Sequence, residues 1–325
     1  MDGASIIRIY DWVAKVAQLK AVNVPHARLT EHIRKCVCKF QLDYTLFQFQ
    51  AARYHRDFKD AFLSKSSEIT ESCRLLEDFL DNGLKTLCGY QVDFIQEYFT
   101  IAHRGVRKPR VGIHMVNEDD YILDIVMAPQ NQDGVEKSID DYSIFKDVKK
   151  SGTPYLDNNI PRTAKKNTEY ENPSLDIQKI RHEYKCKIRD WKWASRWKNN
   201  ILQNIIKDDC LDSEWAAMNI KKGDIGNIYK SHIAVPITFM DHAIKHKLDK
   251  RLADVLQLKN EGRSILGFIC VDHPMTYYFE DKEADSYDNI DINVMYLFAD
   301  MISLIFIISL MYKEGSDTYV TYKAI

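Results

Sequence analysis

The chain lacks a dominant charge: 45 Lys and Arg stand against 47 Asp and Glu over 325 residues, a formal net charge of -2. Nothing in that balance draws the whole chain to nucleic acid or to an acidic membrane, so any such attachment needs a local patch. Cysteine is sparse and odd in number, with seven thiols scattered at Cys36, Cys38, Cys73, Cys88, Cys186, Cys210 and Cys270. This usage fits a reducing compartment and excludes a complete disulfide framework. Cys36 and Cys38, with His32 nearby, lack the second ligand pair at finger-like spacing, so they read as small thiols on a helix and no metal is expected. A glycine-rich phosphate loop, a kinase, cyclase or helix-turn-helix signature and a nucleophile motif are all missing. The first apolar stretch is broken by Arg8, Asp11 and Lys15, so it does not read as a signal peptide, and a cytoplasmic location is expected.

Long apolar runs are scarce as well. The exception, VMYLFADMISLIFIISLMY, closes at Tyr312 and nearly reaches the roughly 20 apolar residues that a membrane span needs. Asp300 near its middle and the lack of basic anchors on both sides argue against insertion. We expect instead a helix lying across the back of a sheet, apolar all round because a partner helix meets its other side.

What is present is ordinary for a soluble chain: 45% hydrophobic and 28% charged residues, at a length that allows about two domains. Residues Ala4 to Lys20 place Ile6, Ile9, Tyr10, Val13, Val16 and Ala17 at helical spacing, and Pro25 ends the run. A second helical pattern covers Leu29 to Leu63, and a third begins near Ser66. We read residues 1–66 as an N-terminal helical region, a bundle or dimerisation arm. Residues 67–312 hold the main domain, and 313–325 form a tail.

The main domain is organised around two runs, SHIAVPITF and SILGFICVD, between Ser231 and Asp272. The first alternates and carries Pro236, as an edge strand does; the second is almost continuously apolar, as a strand buried on both faces is. Upstream, RVGIHMV and YILDIVMA flank the turn residues Asn117 to Asp120 and read as a hairpin. Ser151 to Pro154 form a turn before a short strand at Tyr155 and Leu156. His114, alone in mid-strand, reads as a satisfied core or surface residue.

A strand of the form h-A-V-P-I, a connection, S-I-L-G-F-I-C-V-D and a final long apolar helix resemble the C-terminal half of a GAF domain, a small-molecule sensor fold. KSGTPYLDNNIP is similar to the segment where a short strand of such domains leaves the sheet, and the upstream hairpin is similar to their opening pair. The resemblance implies an α/β fold of the α+β kind, a mostly antiparallel sheet flanked by helices and preceded by the N-terminal helical region. It also implies a pocket beside the short strand. There Tyr155, Asp157, Asn158 and Asn159 offer polar groups, Tyr229 and His232 enter from the organising strand, and Ile113, Met115 and Ile269 form the floor. Subfamily signatures for cyclic nucleotides and for bilins are not met, which leaves any cofactor unknown.

Residues 162–230 depart from a minimal GAF domain as a helical, tryptophan-bearing insertion. Lys185, Arg189, Lys192 and Arg196 share one helical stripe. Beside Trp193 and Trp197 this basic patch suits phosphates and stacked bases, or a partner protein; nucleic acid is not expected, given the acidic remainder. The expected function is a non-enzymatic sensory or regulatory protein that binds a small-molecule ligand or a partner protein and signals as a homodimer, with Ile305 and Ile308 in the contact. The alternatives are an enzyme using Asp272, His273 or His232, for which no catalytic residues are assigned because adjacency points Asp272 and His273 apart, and nucleic-acid binding through the basic helix 185–196.

Overall fold

The computed structural model describes residues 26–65, 67–103, 108–117, 119–128, 137–160, 163, 167, 169–171, 229, 231–239, 264–273, 278–280 and 288–323. Two long helices come first, α1 (His26–Leu63) and α2 (Ile69–His103). Strands β1 (Arg110–Val116), β2 (Tyr121–Ala128) and β3 (Lys137–Ser138) follow, then a single 3-10 turn at Ile139–Asp141. Helix α3 (Ser143–Ser151) leads to β4 (Tyr155–Asp157), β5 (Ser231–Phe239), β6 (Ser264–His273) and the terminal helix α4 (Ile290–Lys323). The six strands form one antiparallel sheet in the order β3-β2-β1-β6-β5-β4. The chain is thus an α+β fold, with an N-terminal helical region ahead of a mostly antiparallel sheet.

Period-two alternation divides the strands between two faces. Val111 and Ile113 of β1, Ile233, Val235 and Ile237 of β5, and Ile269 and Val271 of β6 turn to one side, where α2 and α4 cover them and α1 packs behind. One apolar core runs from Leu29 of α1 through Leu76, Leu80 and Ile95 of α2 to Phe298, Ile302 and Phe306 of α4. The expected boundary at residue 66 falls between α1 and α2, and the core is continuous across it.

Helix α4 owes its all-round apolarity to these neighbours. Its most apolar window, within Ile290–Gly315, is long and apolar enough to cross a membrane, yet 67% of it is buried inside the protein. Ile305 and Ile308 are both buried within the protomer, which corrects their expected place in a dimer contact: the sheet and helices already cover them. The first turn of α4 is held by a buried carboxylate. Asp291 accepts from Tyr98 Oη at 3.0 Å and from the Glu280 amide at 2.8 Å, while Glu280 Oε2 accepts from the Ile290 amide at 2.7 Å. Negative charge at this end is favoured by the helix dipole.

The edge assignment of SHIAVPITF needs adjustment. Strand β5 pairs with β6 along its length, but also with β4 at His232, Ile233 and Ala234. Pro236 lies beyond the three residues of β4, where a missing amide proton costs no ladder bond to that strand. The opposite face of the sheet is covered by the 3-10 turn and α3, through Ile139, Tyr142, Ile144, Phe145 and Val148 against Ile122, Ala234, Phe268 and Cys270. Helix α3 is too short to show a pattern of its own in the sequence. It ends on Gly152, whose φ of 67° is the left-handed conformation that glycine adopts freely and whose amide donates to Val148 O.

Candidate functional site

Antiparallel register sets the chemistry of the α3 face. Asp272 in the central strand β6 stands directly opposite Arg110 of β1 on one side and His232 of β5 on the other, and His232 stands opposite Asp157 of β4. Directly opposed residues share a face and touch. A row of alternating basic and acidic side chains therefore crosses four strands. Arg110 Nε donates to Asp272 Oδ2 at 2.8 Å, Nη2 donates to the same oxygen, and His232 Nδ1 contacts Oδ1. Burial alone pushes the Asp272 carboxyl up, but Arg110 and then His232 more than offset it and hold the group below the usual carboxylate range. An ionised carboxylate has no proton to give, so His232 Nδ1 carries the proton between them. The opposite ring nitrogen, His232 Nε2, is buried without a hydrogen-bond partner.

The next row is built from small groups, Gly112 beside Cys270 beside Ala234. It leaves space beneath α3. The row after that begins with His114, whose Nδ1 lies 2.6 Å from Asp124 Oδ1. A bulge makes this contact: β2 pairs Val126 with Ile113 but Asp124 with His114, so Ile125 is the extra residue. Without it, Asp124 would oppose Met115 and point to the helical core.

The result is a cleft lined by Arg110, Gly112 and His114 of β1, Ile122 and Asp124 of β2, His232, Cys270 and Asp272 of β5 and β6, and Tyr142, Ile144, Phe145 and Tyr229 above them. It offers a space of about 70 Å³, room for about two waters at about 30 Å³ each. Arg110 stacks over the Tyr229 ring with its guanidinium carbon 5.1 Å from the centroid. Burial, and then Asp272, pushes the Cys270 thiol well above its ordinary value, so it stays a neutral thiol rather than a nucleophile. Among the described residues no cluster of His, Cys, Asp and Glu could hold a metal ion.

The residues expected at the pocket separate into three sets. Tyr229 and His232 line the cleft. Tyr155 and Asp157 share its face on the edge strand, where Tyr155 Oη donates to Asp157 Oδ2 at 3.3 Å and Asp157 Oδ1 accepts from the Asn159 amide at 2.7 Å. Asn158 is structural instead. Its amide nitrogen donates to Phe279 O at 3.3 Å and its oxygen accepts from Phe279 N at 3.1 Å, which ties β4 to the approach to α4. Asn159 is buried beside that turn and does not line the cleft.

The expected floor is corrected as well: Ile113 and Ile269 are buried in the helical core and Met115 packs against it, all on the far side of the sheet. His273, whose pairing with Asp272 was doubtful on adjacency, also lies away from the cleft and stacks on Tyr278 with ring centroids 3.4 Å apart. Sequence reasoning missed Arg110, Asp124 and the cleft-facing place of His114. Arg110 opens its strand and Asp124 interrupts an apolar run; those two exceptions to the pattern were the available signal. The basic patch Lys185, Arg189, Lys192 and Arg196 lies outside the described residues. No family model matches the chain, and no curated protein matches it.

Proposed function

We propose that this is a non-enzymatic regulatory protein of GAF-like architecture, which holds a small molecule in the cleft beneath α3 and transmits its occupancy through a homodimer. The cleft carries the reading: a concave space of about 70 Å³ with an apolar and aromatic roof and convergent polar groups has the make-up of a small-molecule site, on a scale that suits only a very small ligand. The antiparallel sheet, with long helices on one face and the cleft on the other, supports the GAF-like resemblance. Support for self-association comes from α1, where Leu42, Leu46 and Phe49 are 61%, 51% and 72% exposed on the side opposite the core. A second copy of the chain would cover that stripe.

Native mass spectrometry of freshly purified full-length protein tests both parts. The expected result is a dimer that retains a small non-covalent mass, and a monomer for Phe49→Glu. A wild-type monomer with an empty cleft, not stabilised against heat by any member of a fragment collection, overturns the reading.

The buried His232 and Asp272 pair favours one second reading, an enzyme in which His232 acts as a general base oriented by Asp272. In that case the retained mass changes chemically with time in wild-type protein and persists unchanged in His232→Gln.

A further inference from the structure

We infer that Cys270 sets the depth of the cleft, and with it the length of what the cleft takes: a short chain headed by a hydroxyl or a primary amide held at His114 Nε2. This rests on reading the cleft as a ligand site. The base of the cleft is the row of Gly112, Cys270 and Ala234, and the rows on either side carry bulk. Arg110, Asp272 and His232 stand on one side, and His114, Phe268 and Pro236 on the other. Part of the small row is already taken. His114 Nε2 stands where a side chain at position 112 would begin, 2.7 Å from the place of its Cβ. The open part of the row therefore lies over Cys270, beneath Ile144 and Phe145. Protein interiors are close-packed and hold few voids larger than a water. This one exists because the central strand places a thiol where its neighbouring rows place Asp272 and Phe268.

The head group follows from His114, whose ring is 6% exposed. Its Nδ1 carries the proton of the contact with Asp124, and Nε2 has no hydrogen-bond partner. Nε2 accepts when the ring holds one proton and donates when it holds two. An ammonium answers only the first state and a carboxylate only the second. A hydroxyl or a primary amide answers both, so the site binds it whichever state the ring is in. The length follows from the volume. A space of about 70 Å³ is filled, at interior packing density, by a molecule of about three or four non-hydrogen atoms. With its polar end at His114, such a molecule lays its carbon tail on Cys270, a small side chain that behaves as a hydrophobe.

The test uses full-length protein and the straight-chain primary amides from formamide to pentanamide, titrated by saturation-transfer NMR. In wild type the step from formamide to acetamide is expected to tighten binding about fourfold, the worth of one buried carbon, and further carbons to add little. Cys270→Ala removes one non-hydrogen atom from the base and is expected to move that plateau to propanamide. Cys270→Ser keeps the size and should leave the plateau at acetamide. Cys270→Leu adds two atoms, fills the space and is expected to weaken the whole series at least about tenfold. His114→Leu should weaken every amide by up to about tenfold, the measure of one net hydrogen bond, without moving the plateau. The alanine and serine variants ask for no extra room and carry the test should Cys270→Leu not fold. The same plateau in wild type and Cys270→Ala, or undiminished binding in Cys270→Leu, overturns the role of Cys270 and leaves the cleft as a site. Full affinity in His114→Leu overturns the head group. If no amide binds wild type or Cys270→Ala, the cleft reading itself fails with it.

Discussion

The two faces of the sheet are built from the same strands and do opposite things. On the helical face, Ile113, Ile233, Val235, Ile269 and Val271 meet Phe298, Ile302 and Phe306 in a continuous apolar core. On the α3 face the alternate residues of those strands are Arg110, Gly112, His114, His232, Cys270 and Asp272, under a helix of nine residues. The difference separates a face built for packing from one that keeps polar groups and a space. A face covered by two long helices, with a third packed behind them, can carry the folding free energy, which frees the other to hold paired charges and a space.

Breaking the row of charges should have one of the largest effects on the α3 face. Arg110→Met leaves Asp272 buried without its main counter-ion, and denaturant unfolding is expected to show a loss of about 3–5 kcal/mol. The same pair sets an acid limit. Since the folded carboxyl of Asp272 is held below its unfolded value of about 3.9, its contribution is complete above about pH 4 and is lost as pH falls further. Asp272→Asn should flatten that part of the stability profile.

The helical face should respond to volume rather than to charge or pH. Phe306→Ala, at a fully buried position, is expected to cost about 3–5 kcal/mol in unfolding. Occupancy of the cleft, read by native mass spectrometry well below the melting transition, should stay as in wild type. A large loss of occupancy would show that the two faces are coupled and would break the comparison.

Smaller effects sharpen it. Asn158→Ala removes two hydrogen bonds to the Phe279 backbone, so thermal unfolding should report a loss of about 1–3 kcal/mol with occupancy of the cleft unchanged. At the low end, Leu46→Glu on the open side of α1 should shift protomer stability by no more than about 0.5 kcal/mol. Light scattering should nonetheless find it monomeric.

The legibility of this chain followed the same division. Apolar spacing reveals α1, α2 and α4, and alternation reveals β1, β5 and β6, because a long element repeats its buried positions often enough to form a pattern. Tyr229 and His232 were readable as cleft residues from their place at the start of β5. Asn158 misled because asparagine after a strand offers the same polar atoms to a ligand and to a neighbouring backbone. The sign of the floor was lost for a related reason: alternation separates Ile113 from His114 without saying which of the two faces the larger layer.

By itself, then, the sequence determined that the chain has a soluble-type composition, long amphipathic helices and a sheet with one strand apolar on both sides. It also determined that α4 would be buried, since Asp300 is the one charge in its apolar run. Only the tertiary structure decided the site. Arg110, Asp272 and His232 are separated by 162 and 40 residues along the chain, and strand pairing alone sets them in one row. The extra residue Ile125 turns Asp124 to the side of His114, a shift that period-two alternation predicts the other way. Local pattern records which positions are buried, whereas register and bulges, fixed by the packing of the whole sheet, choose which buried positions meet.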